Sequence, residues 1–86
     1  PTIVVGSAPT RSGHHLILSR AENVAANHAR LDLIVKDDGV VMVKVTDLKS
    51  GKATSLNGKR IPAGKDGMAV CGQSMIGLGD TTLESV

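Results

Sequence analysis

From Ala29 to Lys36 the chain alternates. Ala29, Leu31, Leu33 and Val35 fall on one face, with Arg30, Asp32, Ile34 and Lys36 between them. A period of two with a single apolar face predicts a half-buried β-strand. Asp37-Asp38-Gly39 follows, and Asp-Gly predicts a two-residue type I′ turn, whose two central positions both need positive φ. The return run puts Val41, Val43 and Val45 on one face and Met42, Lys44 and Thr46 on the other. The two runs predict an antiparallel hairpin with one buried side.

Shorter apolar runs surround it. Thr2 to Val5 stops at Gly6, His15 to Leu18 lies between two polar loops, and Leu56 and Ile61 flank a second tight-turn pair, Asn57-Gly58. Met68 to Cys71, Met75 to Leu78 and Thr82 to Val86 supply the last strands. Ala21 to Ala29 could form one helical turn, but no continuous apolar stripe supports a helix anywhere. Many short strands joined by Gly-rich turns predict an all-β fold, a sandwich or a barrel.

With 86 residues the chain is read as one domain, residues 1–86, with a single modest core. There is no Phe, Tyr or Trp, so the core must come from Val, Ile, Leu, Met and Ala. The same absence argues against base-stacking platforms and proline-rich peptide grooves. The net charge of +2 is spread along the chain and interleaved with acids, which does not suit a nucleic-acid face. Cys71 is the only cysteine, in an apolar run that predicts a buried, inert thiol, so the fold needs no disulfide. No apolar run reaches the roughly 18 residues of a membrane span. The chain opens at Pro1 without Met, as expected of an excised fragment or a processed product.

Chemistry-bearing residues are few. His14 and His15 are adjacent in a strand, so their rings point to opposite faces and do not suit one metal ion. His28 has no Ser or Cys partner with a base-orienting acid, so an architectural role is expected of it. The adjacent carboxylates Asp37 and Asp38 belong to a turn. No enzyme activity, metal or cofactor is expected, and no Gly-x-Gly-x-x-Gly fingerprint marks a flavin or nicotinamide site.

Three blocks stand in a distinctive order. They are Gly6-Ser7, then Ala25-Ala26-Asn27-His28-Ala29, then Asp47-Leu48-Lys49-Ser50-Gly51-Lys52-Ala53-Thr54 closed by Asn57-Gly58. Together they resemble the forkhead-associated (FHA) family, whose pattern runs Gly-Arg, Ser-Arg-x-His-Ala, Asp-x-x-Ser-x-Asn-Gly-Thr and Asn-Gly. The resemblance implies a small β-sandwich with functional loops at one end, which usually grips phosphothreonine peptides. Gly6, His28, Asn57 and Gly58 match as architectural positions. The phosphate-holding positions differ: Ser7 stands for Arg, Ala25 and Ala26 for Ser-Arg, and Lys52 for Asn. Losing two charge-assisted hydrogen bonds would weaken phosphopeptide binding by about 10²–10⁴.

Basic residues could rebuild an anion site, with Arg11 in the first implied loop, Arg20 in the second, and Lys49 and Lys52 in the third. The expected partner-binding surface is therefore Ser7, Arg11, Arg20, Ala25, Ala26, Asn27, Lys49, Ser50, Lys52 and Thr54. The expected function is a protein-interaction module with weakened or lost phosphate recognition, binding a protein partner or another domain of its parent. Phosphothreonine binding through the basic loops is the alternative, and a purely structural or oligomerisation domain is a further one. Val5-Gly6-Ser7 with Pro9, followed by Asn27-His28-Ala29-Arg30, also looks like the carboxy-terminal FHA module of plant and algal zeaxanthin epoxidases. That likeness would imply a plastid protein whose flavin chemistry sits in another domain.

Overall fold

The computed structural model describes residues 2–18 and 23–84. Nine strands follow in chain order: β1 (Thr2–Gly6), β2 (His14–Ile17), β3 (Ala29–Val35), β4 (Val41–Asp47), β5 (Thr54–Leu56), β6 (Lys59–Arg60), β7 (Asp66–Val70), β8 (Ile76–Leu78) and β9 (Thr81–Leu83). They form two sheets, ordered β2-β1-β3-β4-β7 and β6-β5-β8-β9. The β3–β4 hairpin is the centre of the first, with Leu31 opposite Val45 and Leu33 opposite Val43. All pairings are antiparallel except β1 with β2, which run parallel.

The sheets close over an aliphatic core of Val5, Val24, Ala29, Leu31, Val43, Val45, Leu56, Ile61, Ile76 and Leu78. Removing this apolar surface from water is the main favourable term. Methionine, expected in that core, takes no part in it. Met68 and Met75 are about half exposed, at 53% and 48%, and Met42 is half-buried on the outer face. Cys71 is half-buried just past β7 rather than sealed in the core.

Two further expectations give way to the geometry. Val35, the last residue of the alternating face, is 69% exposed. β3 and β4 are seven residues long and β5 and β8 only three, so the second sheet ends before it can cover Val35. The Asp37–Gly39 connection is not a type I′ turn. Only Gly39 has positive φ (86°); the Gly39 N–H donates to the Lys36 carbonyl, and Lys36 pairs with Val40. That is a three-residue loop, a tight turn followed by one left-handed glycine. The Asp38 carboxylate favours it by accepting from the Val40 N–H at 3.0 Å. Asn57-Gly58 does form the expected two-residue turn, with φ of 52° and 81° and Leu56 opposite Lys59.

At the start of β1 the Thr2 hydroxyl donates to the Asp32 carboxylate at 2.6 Å. That bond, aided by the Arg30 guanidinium at 3.1 Å and by Lys44, holds the Asp32 carboxyl below the usual aspartate range against the opposing effect of burial. A carboxyl lowered in the folded state adds stability above its unfolded value and loses it as pH falls through the folded one. Thr2→Val should therefore cost about 0.5–1 kcal/mol at neutral pH. The difference from the native chain should shrink from about pH 4 downward and vanish in stronger acid, as read by urea denaturation across pH.

Candidate functional site

β1, β4 and the described part of the segment before β3 meet at one end of the sandwich, where three connections gather: 7–13, 23–28 and 48–53. Short backbone bonds tie them together. The Ser7 N–H donates to the Ala25 carbonyl at 2.9 Å, and the Leu48 N–H to the His28 carbonyl at 3.1 Å. Gly6 is needed here for space: a Cβ at that position would run into the Ala26 carbonyl.

His28 lies at the junction. Its ring is fully buried in a chain that has no aromatic side chain. Nδ1 accepts from the Ala25 N–H at 3.2 Å, and Nε2 lies 2.9 Å from the Ala53 carbonyl. A neutral ring with its proton on Nε2 satisfies both contacts. The Ala53 carbonyl also accepts from the Gly79 N–H at 2.8 Å, so one oxygen ties the third connection to the second and to the β8–β9 turn.

Asp47 plays the matching part for the third connection. Its buried carboxylate accepts from the Thr54 hydroxyl at 2.7 Å, the Lys49 N–H at 3.0 Å and the Gly64 N–H at 3.3 Å. Lys49 has the left-handed φ of 56°, unusual for a lysine, and the bond from Asp47 holds it there. Sequence reasoning did not single out Asp47 as a functional position. An aspartate at a strand end whose side chain accepts from the N–H two residues on is an Asx-turn signal, and it was available.

The expected surface residues divide. Arg11, Ala26 and Lys52 are exposed, and Ser7 and Ala25 are half-exposed beside them. Arg20 lies outside the described residues. Thr54, expected to face a partner, is buried, with its hydroxyl committed to Asp47. Asn27 is half-buried and its side chain is likewise occupied internally. Oδ1 accepts from the Thr10 and Arg11 N–H groups at 3.0 and 3.3 Å, and Nδ2 donates to the Thr10 hydroxyl at 2.9 Å. Asn27 thus pins the first connection to the second. The Ser50 hydroxyl closes a local turn onto Lys52. The Lys49 stem lies over Gly64, which turns it toward the β6–β7 side of the molecule.

The FHA domain family model matches residues 3–70, and the chain belongs to the FHA family. The fold is similar to that of the Schizosaccharomyces pombe (S. pombe) Nbs1 FHA-BRCT1-BRCT2 domains, with a TM-score of 0.76 and 20% identity over 94% of this chain and 28% of that one. The S. pombe Nbs1–Ctp1 complex gives 0.75 and 20% over 92% and 26%. The FhaA FHA domain, solved with the intracellular domain of Rv3910, gives 0.61 and 18% over 94% and 75%. The chain thus spans little more than a quarter of the Nbs1 chains it matches. No curated protein sequence matches it.

Two substitutions test the construction of this end. His28→Ala should cost roughly 3 kcal/mol in chemical denaturation, combining a buried cavity with the orphaned Ala25 N–H. It should also speed amide exchange at Ala25 and Gly79 well before the β3–β4 ladder. Gly6→Ala, which forces the Ala26 carbonyl aside, should cost about 2–3 kcal/mol and shift amide resonances of residues 23–28.

Proposed function

We propose that residues 1–86 form one FHA-like interaction domain, not an enzyme, which binds a protein partner or another domain of its parent through the loop end. What carries the reading is that this end is fixed in place while its outer side chains stay available. Asn27, His28 and Asp47 hold the three connections from inside, and Ser7, Arg11, Ala26 and Lys52 remain at the surface. Loops held on a rigid scaffold are the usual site of recognition. Two of the structural neighbours, Nbs1 with Ctp1 and FhaA with the intracellular domain of Rv3910, were solved with partners, which fits an interaction role.

In our reading phosphate recognition is weakened or lost. Ser7, Ala25 and Lys52 stand where the family pattern places an arginine, a serine and an asparagine, and none of the three can replace the missing group in kind. Phosphothreonine binding through a rebuilt basic site is the second reading. It is favoured by Arg11, whose backbone N–H is pinned to Asn27 beside the second connection. The likeness of residues 5–9 and 27–30 to the zeaxanthin epoxidase module supports a plastid parent whose catalysis lies in a different domain.

The test is an amide NMR titration with matched phosphorylated and unphosphorylated threonine peptides drawn from a degenerate library. We expect no saturable, phosphate-dependent shift below about 1 mM. The triple variant Ser7→Arg, Ala25→Ser, Lys52→Asn should gain one around residues 7–13 and 48–53. Phosphate-dependent shifts in the native chain that disappear with Arg11→Glu would establish the second reading instead.

A further inference from the structure

We infer that the outer edge of β7, with the groove beside it, is a second docking site, and that it takes an extended, acidic segment of a partner protein by strand addition. β7 closes one side of the five-stranded sheet and, among the described residues, pairs only with β4. The ladder fixes which of its backbone groups are free. The Asp47 N–H donates to the Lys65 carbonyl and the Cys71 N–H to the Val41 carbonyl, so residues 65, 67, 69 and 71 bond inward to β4. By the alternation of an antiparallel pair, Asp66, Met68 and Val70 turn their N–H and C=O groups outward. The Val70 carbonyl is capped by the Ser74 hydroxyl at 2.7 Å and the Gln73 N–H. The outward groups of Asp66 and Met68 and the Val70 N–H have no partner among the described residues.

An unpaired strand edge is a template for another strand, and the surroundings of this one are shaped for an occupant. Between β7 and the short strand β6 lies a groove of about 350 Å³. Leu56, Ile61, Gly67 and Met68 give it an apolar lining. Gly67 faces inward beside it, and a Cβ there would sit 3.3 Å from Leu56 and 3.5 Å from Ile61, so glycine lets both pack close against β7. A glycine inside a strand often marks close approach by another backbone or a ligand. The rim selects charge. Lys59 and Arg60 are exposed and line the groove with a single carboxylate, Asp66. The register sets Lys59 opposite Leu56, on the face turned toward the first sheet. Among the described residues neither cation has an ion-pair partner. A strand added to β7 would therefore present alternate side chains to this groove, an apolar one to the floor and a carboxylate to Lys59, with Arg60, opposite Ser55, adding positive charge at the rim. The site is separate from the loop end, so it stands or falls independently of phosphate recognition.

The probe is an end-capped, unphosphorylated heptapeptide, Thr-Glu-Thr-Leu-Thr-Glu-Thr, with Thr-Lys-Thr-Leu-Thr-Lys-Thr as its control, titrated into the isotope-labelled chain. The acidic peptide should shift the amides of Lys59, Arg60 and residues 66–70 with a dissociation constant on the order of 10⁻⁴ M. The lysine peptide should bind at least about tenfold more weakly. Met68→Pro removes an outward N–H together with the Met68 side chain of the groove lining, leaves the β4 ladder bonds in place and should abolish the response. The double variant Lys59→Glu, Arg60→Glu changes exposed side chains alone and should weaken it about tenfold, with the rest of the spectrum intact. Equal binding of the two peptides, no shift, or shifts confined to residues 7–13 and 48–53 would overturn the proposal. So would concentration-dependent shifts along β7 without any peptide, which would make a second copy of the chain the occupant.

Discussion

The loop end of this domain depends on one neutral imidazole. His28 accepts from the Ala25 N–H on one side and meets the Ala53 carbonyl on the other, fully buried. These backbone groups sit in connections that cannot pair with each other as strands do, because the chain turns away at each of them. Left without the ring the Ala25 N–H would lose its partner, at a cost of about 1–3 kcal/mol, and the Ala53 carbonyl would keep only the Gly79 N–H. No aromatic residue is present to fill the space by packing alone. One ring thus provides core volume and polar satisfaction at the same junction.

Around it the polar side chains are directed inward. Asn27 binds the first connection, Asp47 the third, and Thr54 completes the Asp47 carboxylate from below. What is left facing solvent is small or basic: Ser7, Ala26, Arg11 and Lys52. The division follows from geometry. A buried carboxylate or amide must be bonded, so residues that fix a loop cannot also be its contact groups. The family resemblance brings Asn27 and Thr54 into the recognition block without saying which way they face.

The strand pattern was largely legible in the sequence, because alternation is dictated by the pleat. Ala29 to Val45 shows it in register, and Asn57-Gly58 forms the turn its residues require. Three features were not legible. The Asp38 side chain diverts the Asp-Gly turn to a three-residue loop, a choice that turns on a hydrogen bond and not on a pattern. Val35 is exposed because the facing sheet is shorter, which no local period records. The methionines fall on outward positions because Val, Ile and Leu already fill the narrow space between the sheets. At the loop end, His28 was readable from its block, whereas the reach of Asp47 to Gly64 joins positions far apart in the chain.

The parallel pairing of β1 with β2 and the β1–β3 ladder also bear on the order of assembly. The β3–β4 hairpin closes over a short loop, and β5–β6 over two residues, so both can form early and locally. The His28 latch needs Ala25 and Ala53 brought together across that finished hairpin, and β1 must already lie against β3 to receive the Ser7 bond. Contacts so distant in sequence are slow to close. The loop end is then expected to be the last part of the domain to become ordered, and under stress the first to open, while the hairpin behind it still holds.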